Sequence, residues 1–202
     1  MAELTPEPPL ANDYDDRTTA AVKSALVEIG QILGSVQGKF ALIGGSAPWL
    51  LLDNEEMPHV GTLDVHLGLD GEAQGDGEYP RLVDILMAHG YHQDKKLRRF
   101  QLIREIPATD DGDPISVIVD FLMPRDAEIV KNKAPLIEDF AVQHADGADL
   151  ATQFYKTIEV YGTMPNGGVN RVAIAVCTLP ALLAMKEHAL SQTLYAKGPG
   201  YL

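Results

Sequence analysis

The sequence predicts an α/β (α+β) domain in which a mixed β-sheet is flanked by helices. In residues 17–36 the apolar side chains recur at the spacing of one helix face. Residues 40–43 form a short apolar run that is typical of a buried strand. Strand-like and helical segments then alternate along the chain, strand-like at 62–69, 92–106, 114–123, 154–161 and 169–176, and helical at 79–89 and 179–190.

Turn sequences indicate how some of these strands pair. Residues 110–114 are a strong turn signal, so the strands on either side are predicted to form a β-hairpin, of which the first strand is exposed. Residues 164–168 are a second turn sequence between two strands. The segment 124–149 has only a weak pattern and is predicted to be irregular.

The length of the chain favours one domain. A chain of 202 residues can bury a sizeable core, and we assign the domain to residues 16–195. Residues 1–15 are rich in proline and acidic side chains, so we expect a disordered or loosely attached N-terminal tail. Residues 196–202 contain Gly and Pro, which break helices, and are predicted to be a C-terminal tail.

Composition limits the classes of function. The formal net charge is −13, from 29 acidic and 16 basic residues, and such a surface repels nucleic-acid phosphates. General nucleic-acid binding is therefore not expected, and the cluster at residues 95–99 is either a local basic site or a solvated hairpin. The single cysteine, Cys177, cannot form an internal disulfide. No apolar run approaches the roughly 20 residues of a membrane span, and no signal peptide is apparent. We expect a cytoplasmic protein without a membrane partner.

A glycine turn follows the buried strand at residues 40–43. Gly44 and Gly45 allow backbone angles that are closed to other residues, and they leave space for a ligand near the main chain. Ser46 can cap the short helix that begins here, and the N-terminus of a helix attracts a phosphate group. The turn is therefore a candidate phosphate-binding site.

Three side chains on two strands are candidates for a metal site. Asp64 and His66 are two residues apart in one strand, so they project from the same face. Asp120 lies in an apolar strand, where an unpaired carboxylate is costly. If the two strands are neighbours, the three side chains could converge. The structural alternative is that Asp64 caps a strand end and Asp120 pairs with a basic residue such as Arg98.

Two further side chains bear on the ligand. The imidazole of His66 suits zinc or manganese better than magnesium, which prefers oxygen ligands. Lys186 lies among apolar residues of the predicted helix 179–190, so its stem is expected to be partly buried and its ammonium to need an anion. That anion is either a phosphate group or, if Lys186 is a surface residue, a nearby acid.

The order of these residues resembles the nucleotidyltransferase superfamily, which shares the DNA polymerase β-like fold. The turn Gly44-Gly45-Ser46, then Asp64 and Asp120, carry the resemblance together with the helix at 179–190. It covers about residues 20–192 and is closest to the AbiEii/AbiGii toxin-like nucleotidyltransferases.

The resemblance implies a nucleotidyltransferase-type sheet and the transfer of a nucleoside monophosphate from a nucleoside triphosphate (NTP) to an acceptor hydroxyl. It implies a divalent metal, magnesium or manganese, or zinc because of His66. A cognate antitoxin is implied as a partner, and tRNA is a conceivable acceptor. The implied site residues are Gly44, Gly45, Ser46 and Lys186 for the triphosphate, Asp64, His66 and Asp120 for the metal, and Asp64 and Asp120 for catalysis.

The chain departs from the family pattern in three places. His66 stands where the family has a second Asp, and residues 59–62 lack the arginine that usually precedes the strand. The chain also ends at Leu202, before the basic segment into which the family usually continues. These departures support an alternative, a catalytically idle nucleotidyltransferase-like domain that binds a nucleotide or a protein partner.

Overall fold

The computed structural model describes residues 4–10, 13–34, 39–52, 58–70, 78–98, 100–108, 110, 112–125 and 143–196. Within these ranges the chain forms five helices and seven strands. The helices are α1 (Asp16–Leu33), α2 (Ser46–Leu51), α3 (Glu78–Ala88), α4 (Asp149–Gln153) and α5 (Leu179–Ala196). The strands are β1 (Phe40–Ile43), β2 (Asp64–Leu69), β3 (Gln101–Ile106), β4 (Ile115–Pro124), β5 (Gln143–Ala145), β6 (Tyr155–Thr163) and β7 (Val169–Cys177).

The seven strands form one mixed sheet in the order β3-β4-β2-β1-β7-β6, with β5 beside the end of β4. β4 runs parallel to β2 and β5, and β1 runs parallel to β7, whereas the other neighbours are antiparallel. The predicted α/β (α+β) class, a mixed sheet flanked by helices, is confirmed. The predicted hairpin around residues 110–114 is the β3–β4 pair. None of the described helices is long and apolar enough to cross a membrane.

Helix α1 closes one face of the sheet. It begins with a capping box in which the Thr18 N–H donates to Asp15 Oδ1 (2.8 Å) and the Asp15 N–H donates to Thr18 Oγ1 (3.0 Å). Its buried face packs against β6 and β7. At Gly30 an added Cβ would lie 2.6 Å from Val172 Cγ2, so only glycine allows this close approach. The helix and the sheet therefore share one continuous core.

Alternation along β2 gives the sheet two different faces. The odd-numbered residues of β2 are buried, with Leu67 beside Gly30 and Leu33 of α1, and the even-numbered residues project to the opposite face, where α4 and α5 lie. Gly68 marks this second face, because an added Cβ would lie 3.1 Å from Ala151 Cβ of α4. Asp64 and His66 belong to the same face as Gly68. We call it the cleft face.

The N-terminal segment is attached to the sheet. The Thr5 N–H donates to Ser116 Oγ (3.3 Å), and the Ser116 N–H donates to Thr5 Oγ1 (2.9 Å). The Leu63 N–H donates to Glu7 Oε1 (3.1 Å), and Tyr14 is only 5% exposed. The prediction of a loosely attached tail is therefore wrong for the described part of residues 1–15, because polar side chains and one aromatic ring anchor it.

The first strand of the hairpin is shorter and more buried than predicted. It is reduced to β3 and a single bridge between His92 and Ile103. Leu102 and Ile103 are at most 1% exposed, although they point to opposite faces. The prediction of an exposed strand is wrong here because both faces of the sheet are covered at this point.

Two boundaries toward the C-terminus also differ. The segment 124–149, predicted to be irregular, contains β5 and the start of α4, and its residues 126–142 lie outside the described part. Helix α5 continues to Ala196 rather than ending at residue 190. Residues 197–202, predicted to be a tail, are also outside the described part.

Candidate functional site

Four of the predicted site residues line one cleft on the cleft face. They are Gly44, His66, Asp120 and Lys186, which come from four separate parts of the chain. The cleft has a volume of about 570 Å³. Small-molecule sites commonly enclose roughly 300–1,000 Å³, so a ligand the size of a nucleotide can be accommodated.

Asp120 and His66 meet because β2 and β4 are neighbouring parallel strands. The register places His66 directly opposite Asp120, and His66 Nε2 lies 3.2 Å from Asp120 Oδ2. Asp120 is 8% exposed. Its other oxygen, Oδ1, accepts a hydrogen bond from Gln101 Nε2 (2.8 Å). Both carboxylate oxygens of this buried residue are therefore partnered, as burial of a charge requires.

Gln101 is fixed from its other side. Its Oε1 accepts a hydrogen bond from the Arg98 N–H (2.9 Å), which orients the amide toward Asp120. The Arg98 guanidinium lines the same cleft and lies 5.9 Å from the centre of the Phe100 ring. Asp120 does pair with a basic side chain, as the structural alternative has it, but the partner is His66 and not Arg98.

Gly44 is required where it stands. Its φ is +80°, in the left-handed region, and an added Cβ would lie 2.5 Å from His66 Nδ1. The imidazole therefore packs directly against the Gly44 main chain on one side and contacts Asp120 on the other. This confinement fixes the orientation of the His66 ring in the cleft.

Gly45 and Ser46, the other two residues of the predicted phosphate turn, occupy different helix positions from those predicted. Gly45, not Ser46, is the N-cap of α2, and no side chain caps this helix. Ser46 is fully buried, and its Oγ has no hydrogen-bond partner among the described residues. Gly45 is exposed and lies beside Thr62, where an added Cβ would be 3.2 Å from the threonine side chain. The prediction that Ser46 caps the helix is wrong, because Ser46 is already the first helical residue.

Lys186 projects from the wall that α5 contributes to the cleft. The other residues of this wall are Leu182, Met185 and Ala189. Contrary to the prediction of a partly buried stem, Lys186 is exposed, and it forms no ion pair with any described acid. A cation that has no partner among the described residues, at the edge of an apolar wall, is available to an anionic ligand.

Asp64 lies next to this group but not in the lining of the cleft. Burial raises the pKa of its carboxyl from 3.8 to about 6, and the charges of Glu7 and Asp120 raise it further, while His66 lowers it. Asp64 is therefore close to His66 and Asp120 on one side and to Glu7 of the N-terminal segment on the other. The carboxylates of Asp64 and Glu7 crowd one another.

The sequence contained no signal that fixes either Gln101 or Glu7. The turn at residues 110–114 predicts a hairpin, but a turn centred on residue 112 would place Gln101 opposite Met123, whereas the structure pairs it with Asp120. Glu7 contacts Leu63, which is distant in the chain, and local sequence patterns do not extend over such a separation. Asp146, which pairs with Arg125 at 2.6 Å on the rim of the cleft, also lies in a segment without a clear pattern.

The donor set fits a divalent metal ion in part. His66 Nε2 and Asp120 Oδ2 are neighbouring nitrogen and oxygen donors, a combination that suits manganese or zinc better than magnesium. In the part of the chain that the structure describes, no group of three or more His, Cys, Asp or Glu side chains is arranged to hold a metal ion. His66 and Asp120 can serve as two ligands, and Asp64 is a further carboxylate close to them.

Comparison of the chain with protein-family models, with curated proteins and with solved structures gives no match.

Proposed function

We propose that this protein is a metal-dependent nucleotidyltransferase of the AbiEii toxin-like type, which transfers a nucleoside monophosphate from an NTP to an acceptor hydroxyl. The observation that supports the proposal is the convergence of Gly44, His66, Asp120 and Lys186 in one cleft. These four residues lie far apart in the chain, and their convergence in one cleft is what a common ligand site requires.

Each residue has a definite role in the proposed reaction. Lys186 and Arg98 bind the triphosphate, since both are cations that line the cleft. His66 and Asp120 hold a divalent metal, with Asp64 as a further carboxylate, and such a metal neutralises the charge that develops during phosphoryl transfer. Gly44 leaves room for the His66 ring, which packs against its main chain and is thereby held in the cleft.

The partners follow from the same proposal. An NTP is the donor substrate, a tRNA is a conceivable acceptor, and a cognate antitoxin is the expected protein partner by analogy with this class of toxins. The proposed location is the cytoplasm. Because the net charge is −13, an acceptor nucleic acid would have to contact the local cations of the cleft rather than the general surface.

A second candidate is a catalytically idle domain that binds a nucleotide or a protein partner. It is favoured by the two contacts of Asp120, whose oxygens are already engaged by His66 and Gln101. A carboxylate whose charge is satisfied in this way does not need a metal. In this reading His66 replaces the metal as the partner of Asp120.

Calorimetric titration of the four NTPs, each with magnesium, manganese or zinc, tests the proposal. We expect metal-dependent binding that is lost in Asp64→Ala and weakened at least about tenfold in Lys186→Met, since a charged hydrogen bond contributes about 1.5–3 kcal/mol. Lys156→Met is the matched control, because Lys156 is an exposed lysine on β6 at the edge of the sheet. Absence of binding with every metal would overturn the proposal.

The substitution His66→Asp separates the two candidates. A gain of metal-dependent transfer from a labelled NTP to an acceptor, above the wild-type level, would show that the imidazole disables the native chain. Equal transfer by both proteins would support the active enzyme. Nucleotide binding without transfer by either would support the idle domain.

A further inference from the structure

The described residues 4–10 and 13–15 are here called the N-terminal strap, and Thr5 near its beginning contacts the cleft face. Thr5 exchanges two hydrogen bonds with Ser116 at the start of β4. Ser116 is separated from Asp120 by an even number of positions in one strand, so both side chains point to the cleft face. The Ser116 hydroxyl also lies 3.2 Å from each carboxylate oxygen of Glu105, so it is held from both sides. The strap thus covers the part of this face that lies beside the cleft.

The middle of the strap contacts the residue that precedes Asp64. Glu7 Oε1 accepts hydrogen bonds from the Leu63 N–H and from the Tyr14 hydroxyl. The Tyr14 ring is buried in the core, next to Asp15, which caps α1. The strap is therefore held by Thr5 at one end and by Tyr14 at the other, and Glu7 is fixed between them.

We propose that the N-terminal strap is an autoinhibitory device that controls access to Asp64. In the closed state seen here, the strap is hydrogen-bonded at Leu63, directly before Asp64, and at Ser116, two positions from the partner of Asp64 on β4. Displacement of the strap opens this side of the site. The inference depends on the proposed function only for the identity of the ligand, a metal ion with its nucleotide.

The contacts also indicate how the strap can be released. The attachment consists of a few hydrogen bonds and one buried ring, which is a small local stability compared with that of the whole domain. A strap with these properties can open without unfolding the sheet.

A reversible crosslink tests the proposal. In the double variant Thr5→Cys and Ser116→Cys, oxidation locks the strap closed, since the two side chains already lie within hydrogen-bond distance of the partner main chain. Cys177 does not interfere, because it is buried and burial raises the pKa of its thiol to about 11, which keeps it unreactive. The measurement is the rate at which a carbodiimide and a small amine modify Asp64, mapped by mass spectrometry.

We expect modification of Asp64 to be at least about fivefold slower in the oxidised than in the reduced protein, as local opening controls access. Modification of Glu159, an exposed carboxylate on β6, should be the same in both. Equal rates at Asp64 would overturn the proposal. This readout requires no nucleotide, so it can succeed or fail independently of the proposed function.

The substitution Tyr14→Phe provides a second test that needs no crosslink. It keeps the buried ring and removes the hydroxyl that donates to Glu7. We expect faster modification of Asp64 than in the wild type, with a thermal midpoint close to that of the wild type. An unchanged or slower rate would contradict the strap. If an NTP binds, its affinity should also rise in Tyr14→Phe, and a fall would show that the strap forms part of the site instead of closing it.

Discussion

The two faces of the sheet each contain a buried carboxylate, and the two clusters are built differently. On the α1 face, Glu28 is fully buried and pairs with Arg104 at 3.2 Å. On the cleft face, Asp120 contacts an imidazole and an amide beside a cleft. The first carboxylate meets a permanent cation inside the core. The second meets only groups that a ligand could replace.

The Glu28 cluster is closed by its surroundings. Arg104 also donates to Asn166 Oδ1 (3.2 Å), and its guanidinium lies 5.8 Å from the centre of the Tyr91 ring. Burial raises the pKa of Tyr91 well above its usual value, and the charge of Glu28 raises it further. Glu28 does not line the cleft that contains Asp120. A buried charge alone therefore does not indicate a site, whereas a buried charge with exchangeable partners beside a cleft does.

The largest expected loss of stability follows from a substitution in the Glu28 cluster. Arg104→Met leaves Glu28 buried without its cation, and we expect the free energy of unfolding to fall by about 3–5 kcal/mol. Arg171→Met is the control, because Arg171 pairs with Glu159 at 3.5 Å on the exposed surface, where such a pair contributes at most about 1 kcal/mol. Urea denaturation measures both. Similar losses in the two variants would contradict the assignment of Arg104 as a structural counterion.

The next effect is at the glycine that confines His66. Gly44→Ala combines a strained φ of +80° with a collision at His66 Nδ1, so we expect a loss of about 2–3 kcal/mol and a displaced imidazole. Gly34→Ala is the matched control, since no atom lies within 4 Å of an added Cβ there. Denaturation gives the stability, and the NMR signals of His66 report its position. An unperturbed imidazole in Gly44→Ala would show that the ring is not confined.

A smaller effect is expected at the amide of the cleft cluster. Gln101→Leu removes the donor to Asp120 Oδ1, and we expect a loss of about 1–2 kcal/mol, because a buried acceptor is left unsatisfied. Gln31→Leu removes an exposed contact to Asn170 and should change stability very little. An unchanged stability of Gln101→Leu would mean that water or another group satisfies Asp120 Oδ1, and it would contradict the role that we infer for Gln101.

The smallest expected effect is a gain of stability, at Asp64. The folded-state pKa of Asp64 is raised to about 6, so the folded protein holds this proton more tightly than the unfolded chain does. Stability therefore falls as the pH rises from about 4 to about 6, and the full penalty is present at neutral pH. We expect Asp64→Asn to stabilise the protein by about 1 kcal/mol at neutral pH, because the side chain stays partly exposed, and to have no effect at about pH 3.

Denaturation of wild type and Asp64→Asn across this pH range measures the difference curve, in which the other titrating groups cancel. A flat difference curve would show that Glu7 and burial do not perturb Asp64 in solution.

Local patterns were sufficient for most of the fold. The helical spacing of α1 and the turn at residues 110–114 depend on neighbours in sequence, so both were predicted correctly. The pairing of β2 with β4, which brings His66 to Asp120, was considered only as a condition, because no local rule determines which strands become neighbours. The attachment of the N-terminal segment was missed, since Thr5 meets Ser116 through side chains that read as solvated in sequence.

The exact ends of helices are also not determined by local sequence preferences alone. Ser46 has a residue type that is preferred at an N-cap, but the helix begins one residue earlier than predicted, and Gly45 is the N-cap. Ser46 is therefore the first helical residue, and its hydroxyl is buried. Residue preference describes an average position and does not fix the register of a six-residue helix.

The connectivity of β4 has a consequence for the order of folding. Gln101 and Asp120 are 19 residues apart and meet inside one hairpin, so this half of the cluster can form rapidly by local pairing. His66 must approach β4 from a distant segment in a parallel pairing, and α5 adds Lys186 from near the end of the described chain. Such long-range closures are slow, because chain entropy is lost before the contacts form. The cleft is therefore completed late in folding, after the hairpin that provides its carboxylate.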